Sequence, residues 1–142
     1  MITISRAHAL AIRLHGQADY PHECCGLLLG AFDTQGDRSV RQVLPISNAR
    51  EQSAQHNRFL ITPQDLLRGE RHARAANLDV IGFYHSHPDC PAVPSQFDLD
   101  HAWPVYSYLI LSVTAARAAE LRSWQLRADR SQFDPEPLQE TV

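Results

Sequence analysis

The stretch VIGFYHSHP, residues 80–88, sets the tightest limit on what this chain can fold into. Its β-branched and aromatic residues make it a strand, and the strand ends on two histidines two positions apart. Residues i and i+2 of a strand point to one face, so His85 and His87 turn both imidazoles to the same side while Ser86 points away. A buried run has no packing reason to end in paired imidazoles, and the pair asks for a metal ion. Pro91 and Pro94 then stiffen the return of the chain, and Ser95 can open a helix that carries Asp98 in its first turn.

The rest of the chain is read around that strand. Ser5 caps a first helix whose expected buried face is Ala7, Leu10, Ala11 and Leu14, at i, i+3, i+4, i+7 spacing. CCGLLLGAF and RSVRQVLPI are two strands joined by the turn DTQGD into a hairpin, with Glu23 just before the first. Residues 47–57 are polar and without periodicity, a loop leading to a short strand at RFLI. Thr62 caps a second helix with Pro63 at its first position and Asp65 near its positive end, and Leu66, Gly69, Ala73 and Ala76 form its inward stripe. VYSYLILSV and AELRSWQLRA are further strands, the second with Arg122, Trp124 and Leu126 on one face, and the tail DPEPLQETV is expected to fray. Helices and strands in this order imply an α+β fold, a single domain over residues 1–142 with a mixed β-sheet sandwiched by helices.

Composition removes several classes of function. With 142 residues, 44% hydrophobic and 20% charged, the chain can bury a core without disulfides or a structural metal, so a metal here serves chemistry. A net charge of −3 and the lack of a basic run exclude the phosphate-tracking stripe of a nucleic-acid binder. No run approaches the roughly 18 apolar residues of a membrane span, and the N-terminal residues do not form a signal peptide. Cys24 and Cys25 are neighbours that would close only a strained ring, so the three cysteines read as thiols in a reducing cytoplasm. All thirteen cationic residues are Arg, so any lysine in an isopeptide bond must come from another protein.

Two His and Asp98 would hold zinc and leave one position of the tetrahedron for water. Attack on an amide also needs a group to take the proton of water and hand it to the leaving amine. Glu23 stands at the mouth of a buried strand, where packing does not want a carboxylate, and is the candidate. Each residue has a plainer reading as well: Ser95 and Asp98 as a helix capping box, Glu23 as a strand-edge acid, Cys24 and Cys25 as small core residues. Cys90 lies in the cluster loop without a C-x-x-C partner and carries little signal.

Taken together, Glu23, HSHP at 85–88 and Ser95-x-x-Asp98 resemble the motif of the JAMM (MPN-plus) zinc metalloproteases, and the likeness runs through ECCGLLLG, VIGFYHSHP, PSQFD and YSYLILSV. It covers about residues 2–127 and leaves a tail of about 128–142. The resemblance implies a JAMM/MPN fold, related to that of cytidine deaminases, and a peptidase or isopeptidase. On this chain it implies one zinc on His85, His87 and Asp98, Glu23 as general base and acid, and Ser95 stabilising the oxyanion. The short chain looks like the minimal bacterial form, similar to peptidases that act on a ubiquitin-like β-grasp sulfur-carrier protein after its Gly-Gly.

Other readings stand beside this one. A nucleobase deaminase would need H-x-E with P-C-x-x-C, and PDCP lacks the second cysteine. A non-catalytic MPN scaffold would need neither a base nor an open site, although apolar surface on the first helix or around Trp124 could serve a partner or a homodimer. A peptidase of cell-wall peptides keeps the chemistry and changes the substrate.

Overall fold

The computed structural model describes residues 1–48 and 61–142, so the predicted loop at 47–57, apart from residues 47 and 48, and most of the RFLI strand lie outside the described residues. The elements are β1 (Ile2–Ser5), α1 (Arg6–Asp19), β2 (Cys25–Phe32), β3 (Arg38–Ile46), α2 (Pro63–Ala75), β4 (Asp79–Pro88), α3 (Gln96–His101), β5 (Ser107–Thr114), β6 (Arg117–Leu126), β7 (Phe133–Glu136) and β8 (Leu138–Thr141). The strands form one mixed sheet in the order β7-β6-β5-β4-β2-β3-β1-β8. The β2/β3 hairpin is antiparallel, β2/β4 is antiparallel and β4/β5 is parallel.

Central strands with apolar residues at successive positions are buried on both faces, and two cores result. On one face α1 sets Ala9 and Ile12 against Ile2, Ile4, Leu28, Tyr84 and Leu109. On the other, α2 and α3 cover Leu27, Leu29, Phe83 and Ile110. A register shift between Leu28 and Leu29 lets Ile81 join the α1 side while Phe83, two positions on, joins the α2 side. His85 and His87 follow Phe83 on the α2 and α3 face, and Tyr84 and Ser86 face α1.

The capping signals act as expected. Ser5 Oγ accepts the His8 N–H at 3.1 Å, and Thr62 and Asp65 make a reciprocal capping box at the start of α2. Gly69 lets α2 lie close on β2, since a Cβ there would stand 2.1 Å from Leu27 Cδ1. The inward stripe of α2 is confirmed at Gly69 and Ala73, with Leu66 half-buried, but Ala76 is the exposed C-cap.

Two expectations are corrected. The face Ala7, Leu10, Ala11, Leu14 of α1 is exposed, Leu10 by 52% and Leu14 by 54%, and the buried face is Ala9, Ile12 and Gly16. Both stripes fit the helical period, and α1 is seated by Gly16, where a Cβ would come within 2.6 Å of Leu111 Cδ2. The tail does not fray: β7 pairs antiparallel with β6, and β8 pairs parallel with β1. Its prolines and charges suit edge strands, which keep one side unpaired.

Candidate metal centre

Local structure brings the predicted residues together at the end of β4. Cys25 pairs with His85 in the β2/β4 ladder, and continuing that register sets Glu23 opposite His87. Ser95 caps α3 by accepting the Asp98 N–H at 3.1 Å, and Asp98 Oδ2 accepts the Ser95 N–H at 2.9 Å. This reciprocal box fixes the carboxylate at the helix start, so capping and metal ligation call for the same placement of Asp98.

His85 Nε2, His87 Nε2 and Asp98 Oδ2 stand at the corners of a small triangle, with edges of 3.1 Å between the rings and 3.2 and 3.1 Å from the rings to the carboxylate. An ion about 2.0–2.1 Å from each of three tetrahedral ligands requires edges of about 3.3–3.4 Å. The observed triangle is within a few tenths of an ångström of that size. His87 Nδ1 lies 3.0 Å from the Pro91 carbonyl, which can only accept, so Nδ1 carries the proton and Nε2 offers its lone pair. The His87 lone pair and the Asp98 oxygen meet beside His85 Nε2 at one buried point, which suits a cation, and the donor set of two imidazoles and a carboxylate suits zinc.

Glu23, His85, His87 and Asp98 are all buried. Glu23 contributes a carboxylate oxygen within 4.8 Å of ring nitrogens of both histidines, so it shares the recess with the triangle. Burial pushes its carboxyl up to about 8, against a downward pull from His87 and with a further push from Asp98. Burial lowers His85. It also pulls on His87, but hydrogen bonding and charge from Asp98 outweigh it and hold that ring above its usual value. Asp98 is held low, because His85, His87 and the Ser95 N–H together overcome the effect of burial. Ser95 itself is exposed at the rim, its hydroxyl hydrogen not used by the cap, which needs only the oxygen.

Cys24 and Cys25 are buried free thiols as expected, and burial lifts Cys24 to about 12, which keeps it protonated. Cys90 is exposed, and its backbone rather than its sulfur braces the loop, its carbonyl accepting from Ser112 Oγ at 2.7 Å. Beside α3 an apolar groove of about 580 Å³ opens between Leu66, Phe83, Phe97, Trp103, Val105 and Tyr106. Sequence reasoning missed this groove, since its lining is scattered over four segments. It also missed Asn48, whose Nδ2 donates to the Glu23 carbonyl at 3.1 Å from a stretch that reads only as polar loop.

Among the described residues no helix is long and apolar enough to cross a membrane. The chain is similar to solved structures, including one of a Desulfitobacterium hafniense protein with TM-score 0.86 and 30% identity, covering 99% of this chain and 93% of that one. A JAB1/MPN domain protein from Archaeoglobus fulgidus aligns with TM-score 0.59 at 16% identity over 100% of this chain and 98% of that one, a likeness of fold. Among characterised relatives, a desampylase of Haloferax volcanii is 37% identical over 66% of this chain and 65% of its own length. A CysO-cysteine peptidase of Mycobacterium tuberculosis is 32% identical over 82% of this chain and 76% of its own. The chain thus spans just under two thirds of the desampylase. The family model for prokaryotic homologs of the JAB domain matches residues 5–127, and with the α+β fold and the converging site in place, this chain belongs to that Prok-JAB family.

Proposed function

We propose that the protein is a zinc-dependent peptidase that hydrolyses the bond after the C-terminal Gly-Gly of a ubiquitin-like sulfur-carrier protein, working in the cytoplasm. The observation that carries the reading is the triangle of His85, His87 and Asp98 with the Glu23 carboxyl in the same buried recess. The relatives named desampylase and CysO-cysteine peptidase support the substrate class.

His85, His87 and Asp98 would hold one zinc ion, which supplies Lewis acidity to polarise a carbonyl and ease the deprotonation of water. Glu23 takes the proton as the water oxygen bonds to the carbonyl carbon, and gives it to the amine nitrogen as the C–N bond breaks. This carboxyl would be drawn down, by the positive charge of a zinc ion beside it, from the value that burial alone gives, so that it takes the proton as a carboxylate and returns it as an acid. Ser95 Oγ–H, at the rim, donates to the oxygen that gains negative charge. The apolar groove beside α3, lined by Phe83 of the histidine strand and Phe97 next to Asp98 in sequence, would serve as the bed for an extended tail. Glycines at the end of that tail let its backbone approach the recess closely.

The test pairs two measurements. Wild-type protein loaded with zinc is incubated with a β-grasp carrier bearing one residue after Gly-Gly, and the products are read by mass spectrometry. Glu23→Gln is titrated by calorimetry with the same carrier and with its tail as a free peptide. Cleavage at the Gly-Gly junction, with the carrier bound far more tightly than the peptide, is expected. Cleavage elsewhere, or equal affinity for unrelated peptides, would move the protein to a general or cell-wall peptidase. Binding without any cleavage would leave a scaffold.

A further inference from the structure

Between the two histidines stands a residue that faces the other side of the sheet. Ser86 is fully buried under α1 and touches neither ring's face of β4. Two hydrogen bonds join it to the backbone of one residue, Cys24, whose thiol it also meets. The Ser86 N–H donates to the Cys24 carbonyl at 3.1 Å, as a ladder bond should. The return bond is different: the Cys24 N–H donates to Ser86 Oγ at 2.8 Å, where a regular antiparallel pair would use the Ser86 carbonyl. The side chain therefore takes over the last rung of the β2/β4 ladder, which in regular form begins at Cys25. The peptide joining Glu23 to Cys24 hangs from this hydroxyl on one side. On the other, Asn48 Nδ2 holds the Glu23 carbonyl at 3.1 Å.

We infer that Ser86 is a positioning residue for Glu23: by accepting the Cys24 N–H through its hydroxyl, it sets where the Glu23 carboxyl meets the histidine pair. The inference rests on Glu23 acting as the base. Several observations limit the alternatives. Ser86 lies beside Gly16 of α1, on the face of β4 opposite to His85 and His87, so its hydroxyl is not among the groups around the histidine pair. A core position facing Leu111, Val113 and Gly16 would be filled as well by alanine if packing were its sole task. The oxygen is used instead as an acceptor for a main-chain donor one residue from Glu23. A shift of about 1 Å in a reacting group can cost on the order of 100-fold in rate, so a hydroxyl that fixes this peptide has leverage over the chemistry while leaving the ligands in place.

The experiment uses the zinc-loaded 142-residue protein and five variants: Ser86→Ala, the matched pair Ser86→Thr and Ser86→Val, and Glu23→Gln with and without Ser86→Ala. Zinc content, thermal midpoint, kcat and KM for the carrier are measured for each. Ser86→Ala is expected to keep about one zinc and a KM within roughly twofold while kcat falls about 10- to 100-fold. Thr, which keeps the acceptor, should recover most of kcat, and Val, its isostere without the oxygen, should not, so the pair answers even where Ala alters the packing. In the Glu23→Gln background Ser86→Ala should change the residual rate by less than about twofold, since coupled residues are not additive. Equal activity of the Thr and Val proteins would overturn the inference, as would a full Ser86→Ala loss in the Glu23→Gln background. Full activity of Glu23→Gln alone would instead remove the base on which it stands.

Discussion

A carboxyl that folding has taken out of water makes a measurable claim at Glu23. Its folded pKa of about 8 lies above the ordinary 4.5, so between those values the folded state binds a proton that the unfolded state has released. Stability of the metal-free protein should therefore be greatest on the acid side of this window and fall as pH rises from about 4.5 to about 8, then level off. Glu23→Gln, neutral at every pH, should remove that slope and be the more stable protein above pH 8, as read by denaturant titration of metal-free samples. An unchanged slope would place the buried proton elsewhere. With zinc present, the same variant should keep the metal and lose roughly 10²- to 10⁴-fold in rate, whereas His87→Ala should lose the metal. Ser95→Ala should retain zinc and lose on the order of 10²- to 10³-fold if its hydroxyl meets the oxyanion. Retained full activity would leave it only the cap. The site was legible at this scale where residues sit against their packing interest, as Glu23, His85 and His87 do. Ser86 and Asn48 were not, because a serine in a strand and an asparagine in a loop look ordinary until their partners are known.

At the scale of the element, periodicity found α1 and α2 and named the wrong side of α1. Helix α1 carries two apolar stripes on opposite faces, and a 3.6-residue period cannot rank them. The larger residues, Leu10 and Leu14, drew the prediction to the exposed side. The deciding feature is small: Gly16 permits the close approach of Leu111 and Val113, and Ile12 fills the core beside it. Ile12→Ala should accordingly destabilise the fold by about 2–5 kcal/mol, and Leu14→Ala should stay within about 0.5 kcal/mol of wild type. Denaturant midpoints for the two variants decide it, and a larger loss at Leu14 would mean that something covers this face in solution. Helix α3 makes the contrary case. It was placed from sequence because S-x-x-D caps a helix whatever surrounds it, and the capping geometry needs no tertiary context.

On the scale of the whole molecule, the tail hid most. Proline and charge in DPEPLQETV look like disorder when the alternative in mind is a central strand, but an edge strand admits both. Strands β7 and β8 occupy opposite ends of the sheet order while a single residue, Pro137, joins them, so the sheet must curl until its two edges meet there. Buried Glu136 anchors the junction, accepting from Ser107 Oγ at 2.7 Å and Ser123 Oγ at 2.8 Å, while Arg38 donates to the same Ser107 oxygen at 2.9 Å. Glu136→Ala would strand these buried donors and should cost about 1–3 kcal/mol for each left unpaired. A chain ended after residue 132 should melt earlier and aggregate through the freed edges of β1 and β6. A soluble, equally stable truncation would show that the strap is dispensable.

That strap also imposes an order in time. Ile2 has a near partner in Arg38 of β3 and a distant one in Leu138 of β8, and pairings as distant as the second form slowly. Every residue of the triangle and Glu23 lies between β1 and β8 in the chain. A nascent chain can thus assemble its metal-binding end around β2, β4 and α3 while both edges of its sheet are still open. For that interval the protein would hold its chemistry before it holds its shape.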